Sequence, residues 1–239
     1  MNAAFWWATG QRKLNTPPPG VAQLITSGLY GSWKFAEGSG TTTASEAGLG
    51  STLTLGSDAS ISPTWRPGGG LTFPGPTTWA RRLSESDMTV VDGVTLTVAF
   101  TPGTFTGVKN LIQRSTGNVG YVLACNKSTN KVQVSMGLGS SRSAAALTGF
   151  AAGTSMVLCL TVPGDSRPAA LNVGGTVTPF TPNTFAGWQP ASSSNLLIGY
   201  TFVGDIHYAA VHKRVLTAQE MADMVAYARS ICTARGVKI

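Results

Sequence analysis

The chain has 239 residues, 42% of them hydrophobic and only 11% charged, with a formal net charge of +7 at pH 7. That length and apolar content suffice for one sizeable core, and all-β sandwiches of this size routinely form a single domain. The basic excess reflects the small number of acids: Arg12–Lys13, Arg81–Arg82 and Lys213–Arg214 are the only adjacent basic pairs, and no stretch interleaves basic with aromatic residues, which excludes a specific nucleic-acid interface.

The charged fraction lies well below the roughly 25% of an average soluble domain. The surface must therefore consist largely of Ser, Thr, Asn, Gly and Ala, which suits a protein packed against neighbours. No segment approaches the ~20 apolar residues of a membrane span. Ala3–Ala8 is apolar but short and runs into Gln11, Arg12 and Lys13, so it does not read as a signal peptide. Synthesis and folding in a reducing cytosol follow as the expectation, with Cys125, Cys159 and Cys232 as free thiols.

In chain order, residues 1–27 read as an arm. Phe5, Trp6 and Trp7 precede polar Gln11, Arg12 and Lys13, and Pro17-Pro18-Pro19-Gly20 then favours an extended path. Three large rings are unlikely candidates for free exposure to water, so Phe5, Trp6, Trp7, Arg12 and Lys13 are expected to bind a partner subunit or to fold back on the chain's own domain. From Gly28 to about residue 212, short alternating segments are separated by Gly, Pro, Asn and Ser turns, the pattern of a sandwich or barrel. Leu96, Val98 and Phe100 alternate with Thr95, Thr97 and Ala99, and Val132, Val134 and Met136 alternate with Lys131, Gln133 and Ser135, so each strand is expected to have one wet face. Met156–Val162 lacks polar alternation and reads as a central strand covered on both sides. A helix is predicted over 217–232: Thr217-Ala-Gln-Glu220 forms a capping box, Leu216 is placed to staple against Met221, and Met221, Met224, Val225 and Ala228 make one apolar stripe. Arg229 and Arg235 suit the negative end of its dipole.

The run Gly28-Leu-Tyr-Gly-Ser-Trp33-Lys-Phe35-Ala-Glu37-Gly38-Ser-Gly40 resembles the opening strand of laminin G-like, concanavalin A-like domains. Pro63–Phe73, Val94–Thr101, Asn195–Gly199, Phe202–Ile206 and Lys213–Glu220 resemble later blocks of that family in the same order. The resemblance spans roughly residues 28–230. It implies an all-β fold, an antiparallel two-sheet jelly-roll sandwich with an extended N-terminal arm (1–27) and a short C-terminal helix within a domain of residues 28–239. It also implies that Trp33 and Trp65 are core.

Function does not travel with such a fold, so the residues must decide. Family members that bind calcium do so in an Asp- and Asn-rich loop, where this chain has Ser45–Ser51 with one carboxylate and no Asn, so no metal is expected. Glycosidase relatives place their carboxylates on one strand in a Glu-x-Asp-x-Glu arrangement, and no such run occurs, so no catalytic residues are assigned. An enzyme would have to bring together distant acids such as Glu37 and Asp205. His207 and His212 flank the strand Ile206–Val211 at an odd separation, so they are expected on opposite faces as surface or edge histidines, unable to share a metal. Gly68–Gly70 precedes a strand rather than a helix and reads as a turn. Trp79 and Trp188 lie in loops rich in Pro, Thr and Gly and are candidates for stacking on a sugar or a partner.

The first expectation is a non-enzymatic structural protein of a bacteriophage virion, a capsid decoration or a head or tail fibre component, without cofactor. Its partners would be other virion proteins such as the major capsid or tail protein, and itself as a homo-oligomer, in a particle assembled after synthesis in the host bacterial cytoplasm. The alternative is a carbohydrate-binding module of a receptor-binding fibre, with a surface glycan as ligand and exposed Trp79 or Trp188 beside a groove.

Overall fold

The structure is a computed structural model that describes residues 22–46, 51–58, 61–83, 92–180, 185, 187–188 and 194–239. In chain order the strands are β1 (Leu29–Trp33), β2 (Thr42–Thr43), β3 (Leu53–Ser57), β4 (Thr64–Trp65), β5 (Leu71–Pro74), β6 (Thr78–Arg82), β7 (Gly93–Pro102) and β8 (Val108–Thr116). They continue as β9 (Val119–Asn126), β10 (Lys131–Gly137), β11 (Arg142–Gly149), β12 (Met156–Pro163), β13 (Ala169–Val173), β14 (Thr176–Phe180), β15 (Leu196–Ile198) and β16 (Val203–His212), and the chain closes on α1 (Ala218–Ala234). Two eight-stranded antiparallel sheets face each other as a jelly-roll β-sandwich. The first runs β14-β13-β12-β7-β16-β5-β4, with β1 also on β16, and the second runs β11-β10-β9-β8-β15-β6-β3-β2.

The main core lies between the sheets, where Trp33, Phe35, Phe73, Leu96, Phe100, Leu111, Ile112, Val134, Leu160 and Phe202 are closed off from solvent. Each such side chain contributes on the order of 1.5–3 kcal/mol relative to exposure. Packing is close enough to dictate glycine at Gly199, whose φ of 72° lies in the left-handed region and whose missing side chain leaves room for the Phe73 ring. Trp33 is core as expected, its indole N–H donating to the Ser51 carbonyl at 2.7 Å. Trp65 is not fully core: it sits on the edge strand β4, half-buried against the cluster, and donates to the Gly40 carbonyl at 2.8 Å.

β12 is the central, doubly covered strand its apolar run implied, paired with β7 and β13. The alternation in β7 is also as expected, but its Thr face is not wet. Helix α1 lies over that face, and Thr95 and Thr97 are completely buried beneath it. The hydroxyls are satisfied internally: those of Thr95 and Thr161 pair at 2.8 Å, the Thr95 hydroxyl reaches the Arg214 carbonyl at 2.8 Å, and the Leu216 N–H donates back to Thr95 at 3.2 Å. Threonine therefore serves here as a buried anchor for the turn that enters the helix.

The helix begins where the capping box placed it. Thr217 accepts from the Glu220 amide, and Glu220 accepts from the Thr217 N–H at 2.9 Å while pairing with Arg214. Leu216 and Met221 share one buried cluster with Met224, Val225, Ala228, Tyr208 and Cys159. Arg235 forms the C-cap residue but turns to the sheet, donating to the His207 carbonyl at 2.7 Å. All three cysteines are unpaired and buried; burial raises the Cys125 thiol strongly and pushes Cys159 up to about 12 and Cys232 to about 11, so none is poised as a thiolate at neutral pH.

Of the segment expected as an arm, only Ala22–Ser27 is described, and it packs on its own domain. Leu24 and Ile25 rest against the helix cluster, the Ile25 carbonyl accepts from His212 Nε2 at 2.8 Å, and Arg214 donates to the Ser27 carbonyl at 2.9 Å. Phe5, Trp6, Trp7, Arg12 and Lys13 lie outside the described residues.

The histidines depart from expectation. Both are inside β16, fully buried, and on the same face. The reason is a bulge: Ile206 pairs with Phe100 and Tyr208 with Ala99, so His207 is an extra residue that reverses the parity of the strand. Its Nε2 contacts the Thr101 hydroxyl at 2.8 Å on the helix side of the sheet. Burial holds both imidazoles at about 4, below the ordinary 6.5, with Arg66 and Arg235 adding to the effect at His207 and Arg214 at His212.

A group whose folded pKa is depressed in this way takes up a proton more readily in the unfolded chain. Stability is therefore full above about pH 6.5 and is lost as pH falls toward about 4. Glu220, held at about 2 chiefly by Arg214, adds a separate loss only below its ordinary 4.5. We expect the urea midpoint to fall steadily between pH 6.5 and 4.5, and the double variant His207→Gln/His212→Gln to flatten that part of the profile. An unchanged slope in the variant would show that other groups carry the acid sensitivity.

Candidate functional site

Helix α1 covers the outer face of the first sheet, contacting β7, β12, β13, β14 and β16. Among the described residues no helix lies on the outer face of the second sheet. Its register sets a row of side chains across neighbouring strands: Thr54 opposite Arg81, Arg81 opposite Leu197, Leu197 opposite Gln113, Gln113 opposite Val122 and Val122 opposite Ser135. Strands are about 4.8 Å apart, so groups on adjacent strands are within reach of one small ligand. Further amides extend the polar face. Asn110 donates to Gln113 at 2.6 Å, Gln113 to Ser115 at 3.1 Å, and Asn126 to Gln133 at 3.0 Å.

Where β3, β6, β8 and β15 come together, the face dips into a depression of about 300 Å³ lined by Asp58, Trp79, Arg81, Gln113, Leu197 and Tyr200, with Asn195 at its side. Trp79 is its floor. The ring lies against Gly56, its cross-strand partner, where a methyl group would fall inside the indole. The indole N–H donates to Asp58 Oδ1 at 3.2 Å, and the Arg81 guanidinium lies over the ring 4.0 Å from its centroid. Trp79 is consequently only 7% exposed.

The tryptophan expectation needs correction on this point. Neither Trp79 nor Trp188 is an exposed stacking platform. Trp188 is a core residue at 5% exposure, its N–H donating to the Pro163 carbonyl at 3.1 Å and its ring edge-on to Tyr121. The composition of their loops suggested exposure, but an indole has too much apolar surface to leave in water when a glycine opposite offers a place to lie. Trp79 does line the depression; Trp188 does not.

The residues that complete the depression, Asp58, Arg81, Gln113, Asn195, Leu197 and Tyr200, were not singled out in the sequence. The signal available was the adjacent pair Arg81–Arg82 within an alternating segment, which the pleat splits: Arg81 faces out, whereas Arg82 faces in, buried against the Tyr30 ring at 4.8 Å. Arg114 is likewise turned inward, donating to the Ser194 carbonyl at 3.3 Å. Basic residues counted as surface charge thus include two that are not on the surface.

The two distant acids, Glu37 and Asp205, are not brought together. The Glu37 carboxylate accepts from the Thr43 hydroxyl and the Ala44 N–H, whereas Asp205 accepts from Arg66 and from the Thr72 hydroxyl, and the two line different depressions. In the segment compared with calcium loops, Glu46 is engaged by the Ser32 hydroxyl, Tyr227 and Lys34, and residues 47–50 lie outside the described residues. Among the described residues no three His, Cys, Asp or Glu side chains form a metal-binding group. Gly68–Gly70 is a turn, closed by the Gly69 N–H on the Arg66 carbonyl at 3.0 Å.

No protein family model matches the sequence, and no curated protein sequence matches it. Among solved structures the chain is similar to a Trypanosoma rangeli sialidase in complex with sialic acid, at TM-score 0.65 and 15% identity over 87% of this chain and 34% of the sialidase. It is also similar to the binding domain of botulinum neurotoxin DC in complex with rat synaptotagmin II, at TM-score 0.65 and 8% identity over 87% of this chain and 52% of that one. The same toxin domain in complex with SialylT matches at TM-score 0.63 and 7% identity, with coverages of 86% and 52%. The chain thus spans about a third of the sialidase and about half of the toxin domains. At these identities the likeness shows the β-sandwich fold alone.

The close fit of Trp79 against Gly56 generates a check on the depression's geometry. We expect Gly56→Ala to lift the indole, costing about 1–3 kcal/mol by overpacking and changing tryptophan emission. In a Trp79→Leu background the same alanine should cost little. Equal penalties in both backgrounds would show that the ring does not lie on Gly56.

Proposed function

We propose that this chain is a non-enzymatic binding module that recognises a carbohydrate on the outer face of its second sheet. The observation that carries the reading is the depression over Trp79, where hydrogen-bonding groups of both senses surround an apolar patch on a rigid sheet. Gln113 carries an amide with donors and acceptors, Asp58 a carboxylate, Tyr200 a hydroxyl, and Leu197 with Trp79 a small apolar surface. Sugars present the matching combination of a hydroxyl-bearing edge and an aliphatic face, and polar groups placed on strands need little reorganisation to meet them. The neighbouring toxin domains support the reading: one structure is in complex with SialylT, and another concerns cell entry dependent on interaction with two ganglioside molecules. The sialidases support it less, since the chain covers only about a third of them.

The relatives named above include no virion protein, so the particle-assembly expectation gains nothing from them. Phe5, Trp6, Trp7, Arg12 and Lys13, the arm residues that supported it, lie outside the described residues.

A glycan array with the full chain should show a restricted set of binders, and titration calorimetry of the best one should give a dissociation constant of about 1 mM or tighter, about −4 kcal/mol or better. Gln113→Ala and Tyr200→Phe each remove one hydrogen-bonding group and should weaken binding about five-fold, with melting temperatures close to the parent. An array without binders, or binding untouched by both substitutions, would overturn the reading.

A further inference from the structure

We infer that the ligand of the depression carries a carboxylate, so that the module selects an acidic sugar, with Arg81 as the residue that reads the acid. This rests on the carbohydrate reading and adds the chemical class of the ligand. Arg66 pairs with Asp205, Arg167 with Asp165 and Arg214 with Glu220, and Arg114, Arg142, Arg229 and Arg235 donate to main-chain carbonyls. Arg81 differs in that its partner is the Trp79 ring, and among the described residues no carboxylate pairs with it.

Asp58, the acid nearest in the depression, is committed at Oδ1 to the Trp79 indole instead. The Arg81 guanidinium lies over the indole, 4.0 Å from its centroid, a cation–π contact that takes up none of its N–H donors in a hydrogen bond to a carboxylate. Those donors form a planar fork that matches a carboxylate with two parallel hydrogen bonds. Leu197 on one flank and Thr54 on the other are its cross-strand neighbours, and neither supplies a competing charge. Stacking on Trp79 also fixes the fork before a ligand arrives, which reduces the ordering cost of binding. An acidic sugar suits the remaining groups, because its hydroxyls can reach Asp58 and Gln113 while its acid group meets Arg81. Asp58 in turn disfavours a ligand with several anionic groups, which argues for one carboxylate per bound unit.

The test is titration calorimetry of the full chain with 3′-sialyllactose and with a hexuronate tetrasaccharide, each beside its carboxyl-reduced form, and with lactose 3′-sulfate. We expect at least one of the two acids to bind, its reduction to an alcohol to weaken it by about ten-fold or more, and Arg81→Gln to weaken the acid equally while leaving the reduced form nearly unchanged. Arg81→Lys, which keeps the charge without the fork, should recover only a small part of the loss, and the sulfate should bind less tightly than the carboxylate. Acid and reduced forms binding alike, or a sulfate binding as tightly as the acid, would overturn the assignment of Arg81 while leaving the carbohydrate reading in place. No binding of any of these sugars, together with an empty glycan array, would overturn both.

Discussion

One helix can cover one sheet. A sandwich of two eight-stranded sheets has two outer faces, and among the described residues one helix of 17 residues closes the first. The choice is fixed by a small set of contacts at the entry to α1. The buried Thr95 and Thr161 hydroxyls hold the Arg214 carbonyl and the Leu216 amide, and Arg214 holds Glu220, which also closes the cap. Once the helix lies across β7, β12 and β13, the outer face of the second sheet is, among the described residues, the face without a helix, and the proposed binding depression lies on it. The location of the depression over Trp79 therefore depends on where a Thr pair meets a helix cap on the opposite side of the molecule.

Much of the fold was legible because its signals are local. The capping box at Thr217 and Glu220 and the stripe Met221, Met224, Val225 and Ala228 required only helical spacing, and α1 begins one residue after Thr217. The unbroken apolar run of β12 required only the absence of alternation. What could not be read locally was cover. Thr95 and Thr97 alternate with Leu96 and Val98 as residues of a half-wet strand do, and their burial comes from a helix more than a hundred residues later in the chain. Polarity in a strand reports hydrogen-bonding capacity, and other threonines and a main-chain carbonyl meet that capacity as well as water does.

The site was less legible than the fold, for a related reason. Trp79 was visible as a tryptophan in an unusual setting, but its role depends on Gly56 and Asp58, which the pairing of β3 with β6 brings to it, and on the cation–π contact of Arg81, two residues on along β6. Arg81 and Arg82 look equivalent as neighbouring basic residues, yet the pleat sends one to the surface and the other against Tyr30. Gln113 and Leu197 become neighbours only because β15 inserts between β6 and β8. Such a site is assembled by sheet order, a property of long-range pairing that spacing along the chain does not encode.

The extra residue in β16 bears on how distant kin of this chain come to be found or missed. An ungapped alignment of residues 203–212 with a regular strand keeps one half in phase and throws the other out, setting Tyr208, which faces the helix, against a position that faces the core. Residues on one side of His207 are then compared out of phase, core position against helix-facing position. A gap of one residue between Ile206 and Tyr208 restores both halves at once.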